Sequence, residues 1–319
     1  DATEAESFRD LDLVLLGPLV QQTEAVFDLF WNSGVTIPIH ALARKGRRRR
    51  AKLGTLRVRL ADLAVSNTAK PYLDRVHDRL SMTGMFSDGL RIHWTDSARV
   101  ISDPPEKALA RGAGNWLMRE IFPAIVAAKQ TVEITSPYFV PGPEGTATLV
   151  ELVARGVDVA VLTNSLAATD VAAVHGGYAP CRLPLLRGGV RLYELRPDAD
   201  RQRISLFGSR GASLHTKAFS VDGHVGFVGS FNFDPRSAAL NTEMGVLFEH
   251  DGLAADMHAL FERETRPDMS YRLDLDGGTL IWEGEIKGTL RTLRREPEAT
   301  RMRQLVATVV GWLPIHSQL

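Results

Sequence analysis

The chain has 319 residues, a length that predicts about two domains. Hydrophobic residues make up 44% and charged residues 24%, which is the balance of a globular protein and excludes a disordered, collagen-like or coiled-coil chain. Lys plus Arg and Asp plus Glu each total 38, so any electrostatic role must come from local clusters. The single cysteine, Cys181, excludes a disulfide framework and a cysteine-rich metal site, and is itself expected to be a buried small apolar residue.

Strands and helices are predicted to alternate along the chain. The segment 11–16 predicts a strand, 20–31 an amphipathic helix, and 35–52 a connector that ends in a basic run. Further strands are predicted at 131–135, 157–163, 190–194, 214–220, 225–229 and 243–248, and further helices at 146–155, 168–187 and 252–264. This alternation predicts an α/β fold. The composition changes from about Gly277 onward, which predicts a C-terminal appendage.

Two strand-and-helix segments of the sequence resemble each other. Residues 10–15 match 243–248, each beginning with an acid, Asp10 or Glu243, and continuing as an apolar strand. The helices that follow, 19–27 and 253–261, match with one residue inserted. We interpret the first thirty residues as the end of a unit whose second copy is complete. The alternative is a chance likeness between two strand-and-helix pairs.

The most informative stretch is the pattern HxKxxxxDxxxxxxGSxN, formed by His215, Lys217, Asp222, Gly229-Ser230 and Asn232. Residues two apart on a strand point to one side, so His215 and Lys217 are expected to project together. Asp222 begins a predicted hairpin turn, and the next strand brings Gly229, Ser230 and Asn232 back to the sheet end. Imidazole, ammonium, hydroxyl and carboxamide groups together predict a pocket for a phosphate.

The residue types indicate the chemistry. A neutral imidazole can attack phosphorus and form a covalent intermediate, whereas an imidazolium can protonate a leaving alkoxide. Lys217, Ser230 and Asn232 are expected to donate to the non-bridging oxygens. Glu243 is expected to fix the second nitrogen of His215. No metal is expected, since we see no spacing of His, Asp and Glu that would hold one.

Each residue of the motif also has a structural interpretation. A lone histidine is more often structural than catalytic, a lone lysine is usually a solvated charge, and a GSxN segment is usually a turn. Asp222 in particular could bind backbone amides at its hairpin. The whole pattern fixes six positions within eighteen, which makes a chance match far less expected.

With these residues in place, the sequence resembles the phospholipase D superfamily, whose signature is this His–Lys–Asp motif with a trailing GSxN. The segments 136–141 and 177–194 and the C-terminal residues 312–319 are similar to a bacterial cardiolipin synthase branch. The resemblance implies an α-β-α sandwich in which two homologous halves, each with its own motif, meet at one active site. It also implies no cofactor.

The departure from the family pattern is the absence of a first motif. His40, His77 and His93 lack the lysine two residues on and the aspartate after it. By the internal repeat, Asp10 would be the remnant of a first site whose histidine lay upstream of Asp1. The chain is thus expected to be a fragment, with residues 1–115 the end of the first half and a basic connector, 116–275 the complete second half, and 276–319 a membrane-associating tail.

Two segments outside the motif predict contact with a membrane. Residues 44–52 hold seven basic residues in nine, which indicates either a solvated loop or a clamp on anionic headgroups, and nucleic acid could use the same cluster. Residues 304–313 predict a short apolar helix that lies on a membrane or docks on the domain.

His175 and Tyr178, one helical turn apart, either line the pocket or belong to the core or surface.

The resemblance implies phosphatidyl transfer through a phospho-histidine, most simply cardiolipin synthesis from phosphatidylglycerol and a second phospholipid. With water as acceptor, the same site is a phospholipase D or a nucleic-acid phosphodiesterase, and a chain with one motif could also be a non-catalytic scaffold. The partners expected are an anionic phospholipid and a membrane surface, with no nucleic acid and with a homodimer as one way to complete the site. The expected location is the cytoplasmic side of a bacterial inner membrane, held peripherally, and a monomer of this chain is expected to be inactive.

Overall fold

A computed structural model of the chain describes residues 8–42, 47–67, 69–70, 73–74, 92–109, 116–197 and 213–312. Thr36–Trp94 lies in one compact unit, and Glu6–Val35 with Thr95–Leu319 form the other. These bounds differ from the predicted division at residues 115 and 275. Residues 44–46 of the basic segment lie outside the described residues, and 47–52 continue as helical backbone.

The α-helices are α1 (Pro18–Trp31), α2 (Ile39–Leu42), α3 (Arg47–Ala64), α4 (Trp116–Val126), α5 (Gly142–Ala154), α6 (Ala172–Tyr178), α7 (Arg182–Arg187), α8 (Pro235–Ala239), α9 (Asp251–Glu264) and α10 (Arg301–Trp312). The strands are β1 (Phe8–Arg9), β2 (Ala98–Ser102), β3 (Thr131–Thr135), β4 (Asp158–Asn164), β5 (Arg191–Leu195), β6 (Ser213–Leu214), β7 (Ala218–Val221), β8 (Val225–Gly229), β9 (Met244–Glu249), β10 (Ser270–Asp276), β11 (Thr279–Ile286) and β12 (Thr289–Leu293).

A mixed sheet organises the larger unit. Its order is β12-β11-β10-β5-β4-β3-β7-β8-β9-β2, with β3, β4 and β5 parallel and the other neighbouring pairs antiparallel. The short strands β1 and β6 form a separate parallel pair. This arrangement places the carboxyl ends of β3, β4 and β8 and the amino ends of β7 and β9 at one edge of the sheet.

Alternating side chains of the strands build a core on each face of the sheet. On β7, Phe219 faces a cluster that includes residues of α4 and α5, whereas Ala218 faces a cluster that includes Met257 of α9. Strand β7 is therefore buried on both sides, as expected where helices cover both faces of a sheet. The predicted α-β-α sandwich is confirmed.

Three predicted elements differ from the structure. Residues 11–16 have no strand assignment, although Leu11, Leu13 and Leu15 alternate inward and pack on the core. The single helix predicted at 168–187 is divided into α6 and α7 by a 3-10 turn that contains Pro180, since proline cannot donate the helical hydrogen bond. The strand predicted at 214–220 is interrupted at 215–217, between β6 and β7.

The C-terminal segment is part of the larger unit and not an appendage. Strands β10 and β11 pair along five residues, so the predicted boundary at 276 falls inside a hairpin of the main sheet. Helix α10 crosses α6 closely: a Cβ on Gly176 would lie 2.5 Å from the carbonyl oxygen of Ala307. Arg303, which is 8% exposed, donates to the carbonyls of Leu166 and Thr169.

Cys181 is half-buried against the main core and is a free thiol. Burial raises the pKa of this thiol. The expectation of an apolar packing role agrees with this position, although the side chain is less buried than predicted.

Candidate active site

The residues of the motif other than Asp222 lie at the sheet edge where β6 ends and β7 begins. His215 follows β6, Ser230 follows β8 and Glu243 precedes β9. Asn164, at the end of β4, positions the motif: its Nδ2 donates to the carbonyl of Leu214 and its Oδ1 accepts from the Leu214 N–H, both at 3.0 Å. The buried carboxamide of Asn164 thus satisfies both backbone groups of Leu214, directly before His215.

Asp10 is the carboxylate that contacts His215. The short strand β1 runs beside β6, and the backbone N–H of His215 donates to the carbonyl of Arg9 at 2.7 Å. This pairing places Asp10 Oδ2 2.7 Å from His215 Nδ1. The side chains of His215 and Asp10 are 51% and 43% exposed. The expectation that Glu243 contacts His215 is therefore wrong, because the relevant partner comes from a strand 205 positions away.

Glu243 is buried beside the same site with other partners. Its Oε2 accepts from Ser230 Oγ at 2.5 Å, and its Oε1 accepts from Ser237 Oγ at 2.8 Å. The backbone of Glu243 is held by Asp103, whose Oδ2 also pairs with the buried Lys107 at 2.6 Å. A carboxylate fixed by two hydroxyls and a rigid backbone is a well-oriented acceptor at the sheet edge.

Lys217 lies within electrostatic range of both carboxylates. It is only 8% exposed, and its Nζ donates to the carbonyl oxygen of His215 at 2.6 Å, so it does not project alongside the half-exposed imidazole as predicted. Burial lowers the pKa of Lys217, and the nearby charges of Asp10, Glu243 and Asp170 oppose that change. The ammonium group is thus within electrostatic reach of both Asp10 and Glu243.

The GSxN segment is close to the site, and its three motif residues have different surroundings. The Ser230 hydroxyl donates to Glu243. Asn232 is buried, and its Oδ1 has no hydrogen-bond partner among the described residues. Gly229 has a steric role, since a Cβ there would lie 2.4 Å from the carbonyl oxygen of Met244 on the neighbouring strand.

Asp222 lies at the opposite end of β7 and holds backbone amides. Its carboxylate accepts from the N–H groups of Lys129, Gln130 and Thr131 at distances of 2.7–3.2 Å. Burial alone would raise the pKa of Asp222, but these hydrogen bonds hold it below its usual range. These contacts, at the end of β7 away from His215, favour the structural interpretation of Asp222 over the catalytic one.

Three further polar residues at this edge were not predicted as site residues. The Tyr138 hydroxyl donates to Asp170 Oδ1 at 2.9 Å, and Asp170 contributes to the field on Lys217. Asp234 caps α8, and burial together with Glu243 raises its pKa to about 6. Tyr138 and Asp170 follow strands, and Asp234 precedes a short helix. The general rule that ligand sites form at the carboxyl ends of strands is the one sequence signal that could have indicated these residues.

His175 and Tyr178 belong to a buried network. Arg182 Nη2 contacts His175 Nε2 and lies 2.9 Å from Glu194, while Arg182 Nη1 lies 2.5 Å from Glu296. Burial alone would raise the pKa of Glu296, but Arg182 and His175 hold it at about 2. This network joins α6 and α7 to the C-terminal segment, which gives both residues a structural role.

One group of side chains could hold a metal ion. Ligand atoms of Glu133, His258 and Glu262 lie within 4.8 Å of one another where β3 meets α9. Glu133 Oε1 is 2.7 Å from His258 Nδ1, and Glu133 Oε2 accepts from Ser220. The expectation that no spacing could hold a metal overlooked this group because Glu133 is distant in sequence. The imidazole of His258 and the hydroxyl of Ser220 already contact the two oxygens of the buried Glu133 carboxylate.

Comparisons with known proteins agree with the predicted family and fold. The family model for cardiolipin synthase with a phospholipase D-like domain matches residues 121–265. Cardiolipin synthase C of Escherichia coli is 33% identical over 98% of this chain and 67% of that protein. An uncharacterized protein of Helicobacter pylori is 27% identical over 94% of this chain and 59% of its own length. A phosphatidylserine synthase from Haemophilus influenzae superposes with a TM-score of 0.50 and 13% identity, over 92% of this chain and 58% of that one.

The chain belongs to the phospholipase D superfamily and is cardiolipin synthase-like. It spans 67% of the Escherichia coli relative and 59% of the Helicobacter pylori relative. The similarity to the Haemophilus influenzae structure supports the fold alone.

Proposed function

We propose that this chain carries one half of a phosphatidyl-transfer site. The reaction is cardiolipin synthesis from phosphatidylglycerol and a second phospholipid. The single observation that carries the proposal is the pairing of Asp10 with His215 beside the buried ammonium group of Lys217. An imidazole held at Nδ1 by a carboxylate presents Nε2 for reaction at a phosphate, by the logic that orients histidine in the serine triad.

The transfer proceeds in two steps. A neutral imidazole attacks phosphorus, the bond from phosphorus to the alcohol oxygen breaks, and an imidazolium protonates the departing alkoxide. The hydroxyl of the acceptor lipid then attacks the phosphorus of the phospho-histidine, the phosphorus–nitrogen bond breaks to release that histidine, and the proton of the hydroxyl passes to the second imidazole. Lys217 stabilises the charge on the non-bridging oxygens. His215 supplies one of the two imidazoles.

Glu243 is the orienter of the second imidazole in this proposal. Asp10 and Glu243 occupy matching positions of the internal repeat, and Asp10 serves the histidine of the other repeat copy. By the same relation, Glu243 would serve a histidine that belongs with the Asp10 segment. Its buried position near Lys217, with both oxygens already fixed by hydroxyls, fits that role.

The proposed place of action is a membrane surface, because the substrates are lipids and the named relatives are cardiolipin synthases. Among the described residues, we find no helix with the length and apolar character that crossing a membrane requires. We propose peripheral attachment at the cytoplasmic face of a bacterial inner membrane.

The proposal is tested with labelled phosphatidylglycerol in mixed vesicles that contain phosphatidylethanolamine. The chain is assayed alone and mixed with a separately expressed homologous half that carries its own HxKxxxxD motif. We expect labelled cardiolipin in the mixture and at least about a thousandfold loss with His215→Ala. Trapping at acid pH, followed by mass spectrometry, identifies which histidine carries the phosphatidyl group.

Other products would contradict the proposal. Phosphatidic acid without cardiolipin would make water the acceptor and the protein a phospholipase D. Cleavage of a DNA oligonucleotide with no change in the lipids would place the chain among nucleic-acid phosphodiesterases.

A further inference from the structure

An apolar cavity of about 710 Å³ lies on one face of the sheet, beneath the motif. Helices α4, α5 and α8 form its walls. Its lining includes Phe122, Ile134, Thr148, Phe231, Phe233 and Ala238. A volume of this size lies within the range of about 300–1,000 Å³ that is typical of sites for one small ligand.

The cavity and the candidate active site share one chain segment, which supplies residues to both. Between β8 and α8, polar and aromatic residues alternate: Ser230 and Asn232 belong to the motif, whereas Phe231 and Phe233 line the cavity. Asp234 follows directly, lines the cavity and contributes to the electrostatic field on Lys217. Asp234 therefore lies both in the cavity wall and within electrostatic range of the Lys217 ammonium group.

The charged residues that line the cavity leave its interior suited to an apolar ligand. Arg119 and Glu144 are exposed residues on the surface helices α4 and α5. Asp234 is buried, but its Oδ1 accepts from the Ser237 N–H at 2.7 Å as the N-cap of α8. The remaining walls are mainly aromatic and aliphatic, and apolar surface of this kind gains free energy when an apolar ligand displaces water.

We propose that this cavity binds one fatty acyl chain of the glycerophospholipid whose phosphate lies at His215. The proposal rests on the proposed phosphatidyl transfer. A flexible chain of methylene groups fits an apolar space whose wall reaches Asp234 near Lys217, and its burial would hold the headgroup close to the motif. Each pair of buried methylene groups is expected to improve affinity about tenfold.

The test measures binding and needs no turnover. Isothermal titration calorimetry of the chain uses lysophosphatidylglycerol with a 10- or a 16-carbon acyl chain, below the micelle concentration, and deacylated glycerophosphoglycerol. We expect the 16-carbon probe to bind at least about 100-fold more tightly than the 10-carbon probe, and the deacylated probe more weakly still. Equal affinity for all three probes would overturn the cavity proposal and leave the phosphate site intact.

Matched variants separate the cavity from non-specific apolar binding. Ala238→Trp fills the cavity from α8, and Thr148→Trp fills it from α5. Their controls, Ala239→Trp and Ala147→Trp, carry the same side chain at exposed neighbouring positions. Both filling variants should remove the dependence on chain length, while both controls should retain it. Retention of that dependence by a folded filling variant would refute the proposal.

A second measurement guards against a variant that does not fold. Lysophosphatidylglycerol with a diazirine at the end of its acyl chain is photolysed on the unchanged protein. Crosslinks to the buried lining residues Ile134 or Phe231 support the cavity, and crosslinks confined to exposed residues contradict it. Acyl binding in the cavity without any lipid product in the transfer assay would keep this inference and reject the proposed reaction.

Discussion

At the level of single residues, the two carboxylates near Lys217 differ in what they contact. Asp10 is half-exposed and contacts an imidazole, whereas Glu243 is buried and contacts two hydroxyls. The sequence predicted that both acids belong to the chemistry, but it assigned Glu243 to His215 from proximity along the chain. The pairing of β1 with β6 brings Asp10, rather than Glu243, to His215. Strands of two residues carry almost no sequence signal, so this pairing could not be predicted.

Asp10→Asn tests the assignment of the orienter. The amide keeps the shape but can present an N–H to Nδ1, which favours the wrong tautomer, and the equivalent change in the serine triad lowers turnover about 10⁴-fold. We expect a loss of at least about 100-fold in cardiolipin formation with an unchanged melting temperature, because Asp10 is half-exposed. Asp12→Asn, two residues along and also exposed, is the control. Equal activity in the two variants would remove Asp10 from the mechanism.

Asp222→Asn tests a structural residue. Asp222 has a φ of 53°, which asparagine also adopts, so the substitution removes charge with little backbone strain. Loss of a carboxylate that accepts from three N–H groups should lower the free energy of unfolding by about 2 kcal/mol at pH 7 and leave transfer activity unchanged. Urea unfolding measures the first effect and the lipid assay the second. A catalytic loss without a change in stability would restore Asp222 to the active site.

The same variant has a defined pH dependence. The pKa of Asp222 is lower in the folded state, so its contribution is complete above the unfolded pKa of about 3.9 and disappears as pH falls through the folded value. The difference in stability between the native chain and Asp222→Asn should therefore be constant near neutrality and shrink below about pH 5. A difference that grows on acidification would contradict the assigned sign.

At the level of elements, periodicity predicted what is buried better than it predicted hydrogen-bond pairing. Strand β8 agrees with its predicted bounds, because a β-branched and aromatic run between Gly223 and Gly229 is unambiguous. Residues 11–16 alternate as a strand does, yet they have no strand assignment, since alternation reports only which side chains face a core. Likewise, the break at 215–217 depends on the partners of β6 and cannot be read from local composition.

Helix α10 combines a docked face with an apolar exposed stripe. Arg303 and Ala307 are buried against the unit, whereas Met302, Leu305, Val306 and Val309 are 39–60% exposed at helical spacing. An exposed apolar stripe of this kind is typical of a helix that lies at a membrane surface. The structure thus retains both interpretations that the sequence offered for residues 304–313, one on each face of the helix.

Leu305→Glu tests the membrane interpretation of α10. A charge in the stripe should reduce co-sedimentation with anionic vesicles at least about fivefold, because it removes buried apolar contact with the lipid. Thr308→Glu places the same charge on an exposed position of α10 outside the stripe and should have a smaller effect. Melting temperatures of both variants establish that α10 remains docked. Equal retention of binding by the two variants would exclude this stripe as the contact surface.

At the level of the whole molecule, the C-terminal segment makes long-range contacts that sequence composition does not predict. Trp282 donates to Glu194 at 3.0 Å, and Glu296 pairs with Arg182, so residues beyond 276 complete a buried polar network of the main domain. Such contacts join positions about 90–110 residues apart, and no periodicity encodes them. The predicted α/β class was correct because it depends on alternation of elements, whereas the predicted boundary was wrong because it depended on a change in composition.

The last prediction concerns the number of histidines in one active site. The chain contains one HxKxxxxD motif, and the transfer requires one imidazole to attack while another donates a proton. A monomer, verified by light scattering, should therefore bind a phosphate ester through the Lys217 region without sustained turnover. Its binding is measured by calorimetry with glycerophosphoglycerol, and its turnover with labelled phosphatidylglycerol.

Addition of a half with its own motif should then restore multiple turnover, and the matched variant Glu243→Gln should reduce it by weakening the orientation of the added histidine. The control is Glu249→Gln, an exposed acid at the far end of β9, which should leave turnover unchanged. Because Glu243 is buried, its variant is compared only after its melting temperature is known. Sustained turnover by the monomer alone would show that one imidazole can serve both steps, and Glu243 would then have no histidine to orient.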